Sequence, residues 1–337
     1  MNLLIWGAGA MGGTIGAYLA RAGHAITLVD RAADHVATIN RGGLRITGPV
    51  DEFTVTVPAF TPESVTGEYP AILLCVKAHH TAEATRMLAP HLAPDGYVVS
   101  IQNGLNELVI ADVLGWERTI GAFVNFGADY IEPGVIHRGN RAAVVLGELD
   151  GQITPRLTAL HRTLLDFDDR AIMTRNIWGY LWGKLAYGAQ LFATALTHDS
   201  IADALARPAF RAVYIALAQE VLGVAAARGV TPEGFNGFDP RAFLPGVDPA
   251  VSRRSLDEMV TFNRGSAKTH SGIWRDLAVR KRRTEVDAQL GPIVTLGAES
   301  GVATPLVARL IDLIHDIENN QRSQSLDTLD ELKKFLP

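Results

Sequence analysis

The chain has little cysteine: of 337 residues only Cys75 carries a thiol. One thiol forms no internal disulfide and builds no zinc centre. Its setting, AILLCV, is that of a small buried apolar residue. This suits a reducing, cytoplasmic compartment. Charge of one sign is lacking too. The sequence holds 31 Lys and Arg against 36 Asp and Glu, a formal net charge of -5, which gives no basic footprint for nucleic acid. Long apolar runs are also missing, since none approaches the ~20 residues needed to cross a bilayer. The richest, residues 177–197, contains Lys184 and Gln190. The start, MNLLIWGAGAMGG, lacks a basic segment, and its apolar run is too short for a secretory signal. The expectation is a cytoplasmic globular protein with no metal and no nucleic-acid or membrane partner. Its length suggests two domains.

What is present begins with glycine. Residues 2–6, NLLIW, have the length and character of a buried parallel strand. Gly7, Ala8, Gly9, Ala10, Met11 and Gly12 follow as G-x-G-x-x-G, then a stretch with helical spacing, then the apolar run AITLV ending before Asp30. Strand, glycine turn, helix and strand within about 30 residues form the context that makes this motif a dinucleotide site. The first glycine permits the turn, the second lets backbone amides approach a pyrophosphate, and the third lets helix and strand pack closely. The phosphates would meet the helix N-terminus and its unpaired N–H groups. Asp30 stands where an acid would bond the ribose of NAD, and Arg31 where a guanidinium would hold the 2′-phosphate of NADP. Both readings stay open on the residues alone.

Further strand-like runs follow at 71–77, 96–104, 119–124 and 142–148, with amphipathic helical spacing between the first two. This alternation predicts a mostly parallel sheet. Lys77 and Asn103 fall at the C-terminal ends of their strands, the edge where open α/β sheets bind ligands. After about residue 170 the spacing turns helical, around a Pro- and Gly-rich loop, TPEGFNGFDPRAFLPGVDP. The predicted fold class is α/β: an N-terminal Rossmann-type parallel-sheet domain, 1–175, binding a dinucleotide, then an all-helical domain, 176–337, for substrate and dimerisation. A cleft between them is the expected place for substrate. Across 177–197 the only Asp, Glu, Lys or Arg is Lys184. An ammonium placed there could stabilise negative charge on a carbonyl oxygen and deliver a proton to it.

Several stretches together resemble the ketopantoate reductase (2-dehydropantoate 2-reductase) family, nearly end to end. They are GAGAMGG, VDR at 29–31, CVKAHHT, IQNG at 101–104, PGVIHRGNRAAVVLGE, W-G-K at 182–184 and RRTEVD at 282–287. The resemblance implies NADPH-dependent reduction of a 2-keto acid to a 2-hydroxy acid. Ketopantoate is the leading named substrate, and NADH is an open alternative because of Asp30. It implies that Lys184 is the general acid and that Glu285 closes the site beside substrate and cofactor. Asn103 would lie near both substrate and nicotinamide, Lys77 and Ala128 (on a loop) would line the cofactor, and Arg31 would hold its 2′-phosphate. A homodimer is a further expectation.

Three positions depart from the family pattern. Its lysine helix carries substrate-binding asparagines four and eight residues after the lysine; here these are Gly188 and Phe192. Gly188 should open space and Phe192 should make the pocket more apolar. The family's carboxylate-binding serine falls by offset on Ile273, leaving neighbouring Ser271 or His270 for the role. The basic stretch THSGIWRDLAVRKRR reads mainly as a solvated helix face. The departures admit a family reductase acting on a bulkier, more apolar carbonyl. Two other readings are a β-hydroxyacid dehydrogenase or imine reductase, and a non-catalytic nucleotide sensor.

Overall fold

The structure, a computed structural model, describes residues 1–235, 237–265 and 269–336. The chain divides into two compact units, Met1–Ile177 and Trp178–Pro337.

The first unit contains twelve strands: β1 (Asn2–Trp6), β2 (Ala25–Val29), β3 (Leu44–Thr47), β4 (Phe53–Val55), β5 (Ala59–Phe60), β6 (Tyr69–Leu74), β7 (Leu92–Ser100), β8 (Thr119–Val124), β9 (Gly127–Glu132), β10 (Val135–Asn140), β11 (Val144–Glu148) and β12 (Ile172–Met173). Five α-helices accompany them: α1 (Ala10–Arg21), α2 (Ala33–Gly42), α3 (Thr81–Leu88), α4 (Asn106–Leu114) and α5 (Pro155–Leu164). The main sheet has the order β12-β11-β8-β7-β6-β1-β2-β5. From β5 to β8 every pairing is parallel; β11 returns antiparallel to β8. Its central strands are buried on both faces, as apolar runs such as LLIW and AILL require. The chain leaves β1 toward β2 on one side and reaches β6 on the other, so the topological switch point lies between β1 and β6. The glycine turn after β1 stands there, where open sheets bind ligands.

A second sheet, β4-β3-β10-β9, has no counterpart in the sequence reading. It joins β3 to β10 across about 90 residues of chain, Val135 opposite Arg45, and it corrects one expectation. Ala128 is not on a loop but in β9, opposite Arg138, packed against the core of this unit.

The second unit is helical: α6 (Ile177–Thr194, its first residue in the first unit), α7 (Ile201–Ala206), α8 (Arg211–Ala227), α9 (Pro249–Arg264), α10 (Gly272–Trp274), α11 (Val286–Glu299), α12 (Pro305–Glu318) and α13 (Leu326–Asp330). A short π-helical turn, Arg275–Val279, follows α10. The expected basic helix face therefore ends early. Lys281 takes a left-handed φ of 49°, and Arg280 and Arg282 pair with buried Asp276 instead. The reading that no apolar stretch approaches spanning length needs correction as well. Pro208–Ala227 is long and apolar enough by length and composition to span a bilayer. Val213, Leu217, Val221 and Val224 of this segment are fully buried, which is the pattern of a core helix.

Candidate functional site

The glycine turn is built from three different constraints. Gly7 has φ +103°, a left-handed value that only glycine adopts without strain. Its N–H and that of Ala8 both donate to Val29 O, at 2.8 and 3.0 Å, which ties the turn to β2. At Gly12 a Cβ would collide with Gly7 O and lie 2.8 Å from Cys75 Cβ and 2.9 Å from Ile5 Cγ2. Here α1 touches the sheet. At Gly9, by contrast, nothing lies within 4 Å of a Cβ position. The helix closes its first bond from Gly13 N–H to Gly9 O, and no side chain caps it. The amides of Gly9, Ala10, Met11 and Gly12 therefore precede the first helical bond. An open, positively polarised row of N–H groups fits a pyrophosphate. Cys75, beneath Gly12, is half-buried, and desolvation pushes its thiol far above the usual range.

Buried His35 supports this turn, although the sequence reading passes over it. Gly134 N–H donates to His35 Nδ1 (2.9 Å), so the ring proton sits on Nε2 and is donated to Ala8 O (3.0 Å). A second network fixes the loops after β6 and β7. Gln102 Nε2 donates to Val76 O (2.9 Å) and to Thr81 Oγ1 (2.8 Å). Thr81 Oγ1 lies 2.7 Å from both Ala78 O and Asn106 Oδ1, and Asn106 Nδ2 donates to Asn103 O (2.7 Å). Lys77 and Asn103 are thereby held on linked loops, both side chains exposed. Each stands three residues past its strand, beyond Leu74 and Ser100.

Asp30 Oδ1 accepts from Ala32 N–H (3.0 Å), a local turn bond. Exposed Arg31 reaches His80, Nη1 to Nε2 at 3.4 Å, and the His79 and His80 rings are 4.2 Å apart. The ends of β2 and β6 thus gather Arg31, Lys77, His79 and His80, a basic group suited to an anion. The glycine motif, Arg31, Lys77 and Asn103 all stand at the C-terminal ends of parallel strands; Ala128 belongs to the other sheet. Among the described residues no three His, Cys, Asp or Glu side chains could hold a metal.

In the second unit Lys184 is half-buried on α6, where most residues are buried. Gly183 explains the Trp-Gly-Lys sequence. A Cβ there would collide with Glu233 O, and Glu233 N–H donates to Gly179 O (3.0 Å). The segment around Glu233 crosses α6 at contact distance. Burial raises the Tyr180 phenol, and the nearby Glu233 carboxylate raises it further. Tyr180 is one turn before Lys184, so an acid from the Pro- and Gly-rich loop stands near the lysine's face. Only the loop's TPEGF hinted at it.

Glu285 is the N-cap residue of α11 and half-buried. Glu318 fixes its neighbour: Thr284 N–H and Oγ1 both donate to Glu318 Oε1, at 2.7 and 2.8 Å. Ser271 is buried, and its Oγ accepts from Trp274 N–H (3.1 Å), capping α10. Among the described residues nothing lies within 4 Å of a Cβ position at Gly188. Phe192 is fully buried, so it does not line a pocket as expected.

Comparison with known proteins agrees with this architecture. Residues 3–151 match the family model described as ketopantoate reductase PanE/ApbA, and residues 176–318 match its C-terminal counterpart. A 2-dehydropantoate 2-reductase of Aquifex aeolicus is 30% identical over 315 residues, covering 90% of this chain and 93% of that protein. One from Halobacterium salinarum is 26% identical over 318 residues, covering 93% and 98%. The crystal structure of a PanE/ApbA family ketopantoate reductase from Ralstonia eutropha JMP134 superposes with a TM-score of 0.80 at 28% identity, covering 95% of this chain and 99% of that one. With both parts of the chain matched in order, this protein belongs to the ketopantoate reductase family.

Proposed function

We propose that the chain reduces a 2-keto acid to the 2-hydroxy acid with NADPH, with Lys184 as proton donor. Ketopantoate is the first named substrate to test, since relatives such as the Aquifex aeolicus protein are named 2-dehydropantoate 2-reductases. The observation that carries the reading is Lys184 itself, an ammonium on the accessible side of an otherwise buried helix. Gly183 lets the neighbouring backbone close over the helix beside it.

The first unit serves the cofactor. The amides from Gly9 to Gly12 would hold the pyrophosphate, Arg31 the 2′-phosphate, and Lys77 and Asn103 the remainder of the molecule. NADPH, when bound, supplies the hydride. The second unit serves the substrate. Reduction of a ketone builds negative charge on its oxygen; the Lys184 ammonium offsets that charge and passes a proton to the oxygen. Glu285, set at the start of α11 by the bond of Thr284 to Glu318, would close over substrate and cofactor. Ser271 Oγ, already an acceptor from backbone, can still donate its proton to a substrate carboxylate.

The test is NADPH oxidation at 340 nm by wild type and Lys184→Ala. Loss of a general acid lowers kcat by about 10²–10⁴-fold, while the dissociation constant for NADPH stays unchanged. A variant that turns over as fast as wild type would remove Lys184 from the chemistry.

A further inference from the structure

From Tyr180 onward, the accessible residues of α6 are Tyr180, Lys184, Tyr187, Gly188 and Leu191. At 100° per residue these five share one face about 100° wide. Apart from the ammonium, that face offers two phenols, a bare backbone position and an isobutyl group. Within α6 itself no carboxamide shares that face with the lysine. The one amide side chain of α6, Gln190, is buried and donates to Tyr214 O (3.1 Å). The Tyr187 ring packs 5.4 Å from Phe238 and 6.0 Å from Phe235, and its hydroxyl donates to Asn263 Oδ1 (3.4 Å).

Gly188 is the singular member of the stripe. Glycine inside a helix is disfavoured relative to alanine, and packing usually explains its presence. Gly183 has that explanation in Glu233 O. Among the described residues Gly188 has none: its φ is not left-handed, and no described atom comes within 4 Å of a Cβ position. One turn beyond Lys184 the helix therefore leaves room that a side chain could have filled without a clash.

We infer that the substrate is a 2-keto acid whose side chain is bulky and apolar, aryl or branched alkyl, lying over Gly188 toward Tyr187 and Leu191. This rests on the reading of Lys184 as the proton donor to the keto oxygen. Placing apolar surface on this stripe is favourable, whereas a hydroxylated side chain would be stripped of water with no amide of α6 beside it to replace the lost bonds.

The test compares kcat/KM for pyruvate, ketopantoate, 4-methyl-2-oxopentanoate and phenylglyoxylate in wild type, Gly188→Ala and Gly188→Asn. Wild type should favour the branched and aryl acids over ketopantoate by about tenfold or more, the scale set by one or two methylenes in a pocket. Gly188→Asn should lower activity on the apolar pair by about tenfold or more and spare or raise that on ketopantoate. Gly188→Ala should fall between them while raising the melting temperature, which shows that lost activity is not lost folding. Lysine-dependent turnover that favours ketopantoate, or an Asn variant that lowers all four substrates alike, overturns the inference and leaves the reductase reading standing. Absence of turnover on all four acids overturns both.

Discussion

The glycine turn makes a prediction that separates packing from binding. In Gly12→Ala the new methyl collides with Gly7 O and falls 2.8 and 2.9 Å from Cys75 Cβ and Ile5 Cγ2. Carbon atoms prefer about 3.5–4.0 Å, so α1 must withdraw from the sheet by about 0.7 Å or more. The turn cannot yield in its place, because two amides bind it to Val29 O. Overpacking of this kind costs about 1–3 kcal/mol, offset by at most about 1 kcal/mol of helix propensity. A net loss of about 1–2 kcal/mol lowers the melting temperature of a unit this size by about 2–8 °C. Gly9→Ala meets no atom within 4 Å, and as a poorer N-cap it costs at most about 1 kcal/mol. Its methyl instead stands where a pyrophosphate would approach. Losing one charge-assisted bond, about 1.5–3 kcal/mol, weakens NADPH about tenfold or more. Thermal melts followed by circular dichroism and a fluorescence titration with NADPH measure both quantities. The reasoning is refuted if Gly12→Ala melts with wild type, or if Gly9→Ala binds NADPH as tightly.

Three further outcomes are expected. Asp168 is 1% exposed and faces buried Arg138 (3.6 Å) and Arg141 (2.8 Å). Burial raises its carboxyl, but bonds from Arg141 and from Arg170 N–H outweigh that and hold it below its ordinary 3.8. Because the folded value is depressed, the stabilisation is present above the unfolded value and lost as pH falls through the folded one. Asp168→Asn should cost about 3–5 kcal/mol at pH 7, a gap that closes in urea titrations only as the pH falls below 3.8 and through the depressed folded value; a constant gap would contradict the assignment. Arg31→Ala should raise KM for NADPH by about 10–100-fold and leave KM for NADH nearly unchanged, so equal effects on the two would place the 2′-phosphate elsewhere. Gly183→Ala should push the backbone at Glu233 off α6, costing about 1–3 kcal/mol and lowering kcat. A melt and a rate both equal to wild type would show that this crossing is unimportant.

Features set by local chemistry were readable in the sequence, and features set by distant contacts were not. The glycine turn, the apolar strands and α6 declare themselves within a few residues each. The β3–β10 pairing depends on segments far apart whose alternation is weak on its own, and a reading by resemblance puts Ala128 on a loop. His35 and Glu233 act through backbone partners that no spacing reveals. The sequence reading assigns no element to Pro249–Arg264, whose many charges mask its apolar face. Phe192 shows a geometric limit. Eight residues after Lys184 a helix has turned about 80° away, and the ring enters the core instead of a pocket. The basic run after Arg275 keeps helical composition, but the left-handed Lys281 ends the helix before the arginines can form a face.

Cys75 gives the molecule a built-in clock. It is the single thiol of the chain, disfavoured as thiolate, and packed under the residue that seats α1 against the sheet. Half-buried and held as the thiol, it should react slowly with a thiol reagent, at a rate that changes with the state of the turn above it. Any molecule that settles on the turn should slow the clock in proportion to its occupancy. Ligands could then be ranked on the native chain without turnover, mutation or an added dye.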